Sequence, residues 1–226
     1  MPNAFQSLLS AILDDDRAKV KVLLDNDPAL AQQSAARERL DSKIAHWIYS
    51  GDTALHVAAA GYRVEVAKTI LAAGADPAAA SNRRVSQPLH YAADGYLENP
   101  AWNPGRQVQM IRVLLDAGAN INAQDKNGAT PLHRAVRTRC AAAVKCLLDG
   151  GANPKIRNKP GSTAFHLAVQ NTGRGGSGSE SAREAQREII EAFLERGVSP
   201  KLTDAKGKSV VGWAKSDWIR EILSGK

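Results

Sequence analysis

Cysteine is almost absent: a chain of 226 residues carries only Cys140 and Cys146. Two cysteines cannot form a disulfide framework, so a reducing compartment is expected. Aromatic residues are also scarce, at 5%. Alanine and aliphatic side chains must then fill the core, which suits closely stacked helices. No run approaches the roughly 18 apolar residues of a membrane helix. The opening Met1-Pro2-Asn3-Ala4-Phe5 lacks a basic region ahead of a long apolar stretch, so no cleaved secretory signal is expected. Gly-x-Ser-x-Gly, the P-loop and the dinucleotide fingerprint are missing as well. The glycine-rich stretch 173–178 does not follow a strand and does not read as a phosphate cradle.

What the chain does contain is repetition. Four segments resemble one another: Thr53-Ala54-Leu55-His56, Gln87-Pro88-Leu89-His90, Thr130-Pro131-Leu132-His133 and Thr163-Ala164-Phe165-His166. Their histidines lie 34, 43 and 33 residues apart. A glycine follows each histidine after 18, 28, 18 and 31 residues, at Gly74, Gly118, Gly151 and Gly197. The unit is therefore about 33 residues long, enlarged in its second and fourth copies. Threonine is a good helix N-cap, and proline suits the first helical position. A second helix follows with apolar spacing, as in Ile111, Leu114 and Leu115. The glycine then ends it in a left-handed turn. One unit cannot bury its apolar face alone, but a stack can.

This pattern resembles the ankyrin repeat, whose hallmark is Thr-Pro-Leu-His-x-Ala. The copy at 128–160 matches it best. The second copy has Gln87 for threonine and Val85 where the family has glycine, so an altered turn is expected there. The resemblance implies an all-α solenoid of helix-turn-helix units with β-turn fingers, forming one domain over 1–226. Its expected parts are an N-terminal cap at 4–30, an insertion at 31–50, repeats at 51–84, 85–127, 128–160 and 161–206, and a C-terminal cap at 207–226. It also implies that the four histidines are structural hydrogen-bonding residues and not a metal or catalytic array. Cys140 and Cys146 have no partner at zinc-ligand spacing. The expected chain is a monomer that is not an enzyme and has no cofactor, metal or membrane.

Three segments depart from the unit. The first, 31–50, carries His46-Trp47-Ile48-Tyr49. The second, 94–107, contains Tyr96 and Trp102. The third, 170–180, is rich in glycine and serine and reads as flexible. The last two fall between inner and outer helices. Insertions in solenoids often mark a binding face. Tyr96 and Trp102 would either anchor a partner or fold back over the helices.

Net charge is +7, and it is unevenly spread. Segment 128–160 holds Arg134, Arg137, Arg139, Lys145, Lys155, Arg157 and Lys159 against Asp149 alone. In the ankyrin family, the fingers and the exposed end of the inner helix form a concave face that binds partners. By position these are Arg83, Arg84, Ser86 and Asp94, then Lys126, Asn127, Ala129, Arg137 and Thr138. Lys159, Pro160, Ser162, Gln170 and Asn171 follow, and then Lys206 and Lys208. Arg134, Arg139 and Lys145 can face elsewhere. The reading is a protein-interaction scaffold for a partner with an acidic or mixed surface. The alternative is nucleic acid or another polyanion on the basic stripe, although the aromatics are not interleaved with it. The expected location is the cytoplasm; a secreted effector stays open.

Overall fold

In the computed structural model, which describes residues 3–44, 46–95, 102–170 and 178–225, the helices come in pairs. The pairs are α1 (Ala4–Leu13) with α2 (Arg17–Asn26), α3 (Ala54–Ala60) with α4 (Val64–Ala72), and α5 (Pro88–Ala93) with α6 (Pro104–Asp116). They continue with α7 (Pro131–Arg137) and α8 (Ala141–Asp149), α9 (Ala164–Ala168) and α10 (Glu180–Glu195), then α11 (Val210–Trp213) and α12 (Asp217–Ser224). Odd-numbered helices pack on odd-numbered neighbours and even on even, giving two layers along one stack. Between α2 and α3 lie a short 3-10 turn (Pro28–Ala31) and a hairpin of β1 (Arg39–Asp41) and β2 (His46–Ile48). The sequence read 31–50 as an insertion without assigning it this hairpin.

The repeated histidine explains why neighbouring pairs lock together. His56 Nδ1 accepts the backbone N–H of its own N-cap, Thr53, at 3.1 Å. Its Nε2 then donates to the Ser86 carbonyl of the next unit at 2.9 Å. His90 and His133 repeat both bonds, reaching Ala129 and Ser162. His166 reaches Lys208 in the last unit. Each ring is a neutral bridge, and burial holds each one below the usual histidine range.

The fingers repeat as faithfully. Asn82, Asp125, Asn158 and Asp204 each turn a side-chain oxygen onto amides two or four residues ahead. Adjacent fingers join through backbone bonds: Lys126 N–H to Arg84, Lys159 N–H to Asn127, and Ala205 N–H to Gly161. Gly128 has a left-handed φ, and a Cβ there would lie 2.9 Å from the Lys159 nitrogen. Both facts require glycine. Val85 occupies the equivalent place in the second finger. It keeps the left-handed turn, with φ +53°, and the same turn bond, Val85 N–H to the Asn82 carbonyl. The expected alteration does not occur; a β-branched residue accepts the strained conformation instead.

The enlarged units have a compensation that the sequence reading missed. In the pairs α3/α4 and α7/α8, a tight turn brings backbone N–H groups onto the last carbonyls of the inner helix: Tyr62 and Arg63 onto Ala59 and Ala58, Arg139 and Cys140 onto Val136 and Ala135. In the enlarged pairs, a buried glutamine of the outer helix does this. Gln107 Nε2 donates to Ala92 at 3.0 Å and to Ala93 at 3.3 Å. Gln186 Nε2 donates to Ala168 at 2.6 Å and Gln170 at 2.8 Å. Buried carbonyls need such partners.

Candidate functional site

The inner-helix layer presents one long face, and its two halves differ. In the N-terminal half the chain covers its own face. Every residue of α3 and α5 is buried. The hairpin lies over them: His46 rests on the Tyr91 ring with centroids 4.6 Å apart. Its tip is tied down by an ion pair between Lys43 and Asp14. Its outgoing strand leads to Tyr49, whose ring is flanked by Arg83 and Arg84, with guanidinium carbons 5.1 and 5.3 Å from its centroid. Arg84 also donates to the Tyr49 hydroxyl at 2.9 Å. Arg83 pairs with Glu38 at 2.9 Å.

Beneath this cover lies a buried polar network. Asp52 accepts the Tyr91 hydroxyl at 2.8 Å and the Tyr49 amide at 2.7 Å. Burial outweighs these bonds and pushes its carboxyl up to about 6. Arg134 is only 4% exposed and reaches three residues. It donates to Asp94 at 2.8 Å, Asp125 at 2.6 Å and the Ser86 hydroxyl at 3.2 Å. Burial disfavours its charge, but Asp94 and Asp125 more than offset that and hold it above its ordinary value. Arg137 adds a weaker bond to Asp94 at 3.3 Å.

The residues expected on the face therefore separate. Ser86 and Asp94 are buried inside the network, and Arg83 and Arg84 hold the hairpin. Thr138 accepts the Gly95 amide at 3.1 Å. Trp102 is half-buried against the core and donates to Gln107 at 3.1 Å, so it folds back on the helices. Ser162 is buried, and its carbonyl takes the His133 bond. Tyr96 and Asn171 lie outside the described residues, as does most of the glycine-serine stretch. Lys145 pairs with Glu188 of an outer helix at 3.0 Å.

Arg83 is exposed but paired with Glu38; the other exposed residues of the expected face are Lys126, Asn127, Arg137, Lys159, Pro160, Gln170, Lys206 and Lys208, and Lys215 is exposed as well. Among the described residues none of these five lysines makes an ion pair. The joined fingers place Lys126, Lys159 and Lys206 on successive turns of one edge. Gln170 lines a recess of about 160 Å³ with Arg137 and Arg139. It also lines a larger one of about 540 Å³ with Asp204, Lys206, Lys208, Trp213 and Lys215. Gln170 is thus common to both recesses, with Arg137 and Arg139 beside it in one and Lys206, Lys208 and Lys215 in the other. Trp213 and Lys215 both lie in the segment that the sequence marks only as a C-terminal cap, 207–226.

Residues 101–204 match the family model of ankyrin repeats in three copies, and 50–82 match the single ankyrin repeat. The chain belongs to the ankyrin-repeat family. Its helix pairs and β-turn fingers form the ankyrin solenoid. Over 72 residues it is 36% identical to an E3 ubiquitin-protein ligase of Arabidopsis thaliana, a match covering 32% of this chain and 4% of the ligase. Over 59 residues it is 41% identical to an ankyrin repeat and LEM domain-containing protein 1 homolog of Caenorhabditis elegans, 26% of this chain and 7% of that protein. The matches span under a tenth of either relative. Among the described residues of this ankyrin chain, no helix is long and apolar enough to cross a membrane. Ankyrin repeats generally mediate binding between proteins.

Proposed function

We propose that the chain is a protein-interaction module without catalytic chemistry of its own. It binds a partner with an acidic surface along the C-terminal half of its concave face. One observation supports this reading: the hairpin lies over the N-terminal half, while Lys126, Lys159, Lys206 and Lys208 stand exposed on consecutive fingers, without ion pairs among the described residues. Like charges held on a rigid edge steer and orient an acidic partner.

The test replaces Lys126, Arg137 and Lys159 together by glutamine. Neutral replacements spare the buried Asp94 beside Arg137 from repulsion. Binding of an acidic polypeptide such as polyglutamate is measured by calorimetry at low and moderate salt, beside duplex DNA. Exposed pairs contribute about 0.2–1 kcal/mol each, so the triple variant should lose about tenfold in affinity. Helical circular dichroism should not change. Equal affinity of wild type and variant for the polypeptide sinks the surface. Tight, salt-dependent binding of DNA alone replaces this reading with polyanion recognition.

A further inference from the structure

The solenoid places two recesses in the same register, and one is filled by the chain itself. In the third unit, Arg134 follows its finger residue Asp125 by nine positions and donates to it at 2.6 Å. In the last unit, Trp213 follows Asp204 by nine positions and donates through Nε1 at 2.9 Å. The preceding unit supplies the facing residue in both cases, four places after its histidine. For Arg134 this residue is Asp94, whose carboxylate also meets Arg137. For Trp213 it is Gln170. The first recess holds a carboxylate between cations. The second has no such carboxylate, is open over about 540 Å³, and is rimmed by Lys206, Lys208 and Lys215.

Among the described residues lining the second recess, the only acid is Asp204. It is 7% exposed and already engaged by Trp213 and by the amides of Lys206 and Lys208. Its charge is turned into its own finger, and three cationic side chains are left at the rim. Trp213 is half-buried, packs edge-on against His166 with centroids 5.3 Å apart, and provides an apolar wall. Cations around an aromatic wall fit a segment that offers a carboxylate next to an apolar side chain.

We infer that this recess seats an acidic, apolar-tipped segment of the partner protein. Its carboxylate takes the place that Asp94 fills within the chain, and its apolar side chain covers Trp213. This rests on the protein-binding reading above and narrows it to one recess and one kind of segment.

The probe is a terminally blocked peptide, Glu-Glu-Leu-Phe-Glu-Glu, titrated calorimetrically into the full chain. Two controls replace its glutamates by glutamine or its Leu-Phe by Ala-Ala. The wild type should bind the probe about tenfold more tightly than either control. Lys206→Gln, Lys208→Gln and Lys215→Gln together should abolish that preference. Trp213→Phe, which keeps the ring packing, should remove the fluorescence change on binding. Retention of the preference by the triple variant overturns the inference, as does equal binding of the Ala-Ala control. Displacement of the peptide by inorganic phosphate or duplex DNA at matched ionic strength overturns it too. If the preference depends on Lys126, Arg137 and Lys159 but not on the recess lysines, the broader reading stands and this one fails. The reverse pattern upholds the recess and removes the central stripe.

Discussion

The two ends of the concave face are built on one register and finish in opposite states. Around α5, Arg134 is buried and held by Asp94 and Asp125 of its own chain, and the hairpin lies close by, with His46 on Tyr91. In the last unit the cations point into an open recess. A repeated scaffold can therefore hold one kind of contact as structure in one place and leave it open in another. What differs is small: Asp94 against Gln170, and a hairpin above one but not the other.

The sharpest way to break this comparison is to remove one cation from each end. Arg134→Ala strips Asp94 and Asp125 of their buried partner, and such losses cost about 3–5 kcal/mol. Lys208→Ala should change stability by no more than about 0.5 kcal/mol. Urea denaturation of both variants decides it, and similar losses would show that the two ends are not different in kind.

Acid gives a second contrast of intermediate size. His56 and His90, in the covered half, are pushed down by burial to about 4. The unfolded chain takes up these protons near the ordinary histidine value of 6.5. Their stability contribution is therefore complete above that pH and drains away as pH falls towards 4. Asp52, raised to about 6 by burial, acts in the opposite sense, adding stability as pH falls from about 6 towards 3.8. Two histidines outweigh one carboxylate, so the net loss between neutral pH and pH near 5 is about 1–3 kcal/mol. Hydrogen exchange should show α3 and α5 opening before α9. Uniform protection loss along the stack, or constant stability over this range, would contradict the contrast.

Val85→Gly is the smallest effect. It removes a left-handed valine and should raise stability by about 1 kcal/mol, or roughly 2–4 °C in Tm. A lower Tm would mean that the valine side chain contributes more than its backbone costs.

The residues that were legible in the sequence are those whose partners are near in the chain or recur with the period. The histidine register, the capping threonines and the apolar stripes of the outer helices all belong to this group. So does the basic third unit, although one of its arginines was not available to a partner. Arg134 meets Asp94 across 40 residues and Ser86 across 48, and neither pairing follows from a local pattern. The hairpin cover was illegible for the same reason, since His46 finds Tyr91 only after the stack has formed. Gln107 and Gln186 did leave a signal: each stands three and four places before an apolar pair, where a polar residue breaks the stripe. Trp213 could have been found by counting nine from Asp204, as Arg134 is counted from Asp125.

Those two glutamines have a consequence for how the molecule can change. A tight turn satisfies the inner helix only at one length, so any added residue there leaves carbonyls dry. Gln107 and Gln186 reach those carbonyls from the far helix, and the chain between is released from that duty. These two junctions are splice points: foreign segments can be grafted there, by evolution or by design, with little cost to the stack.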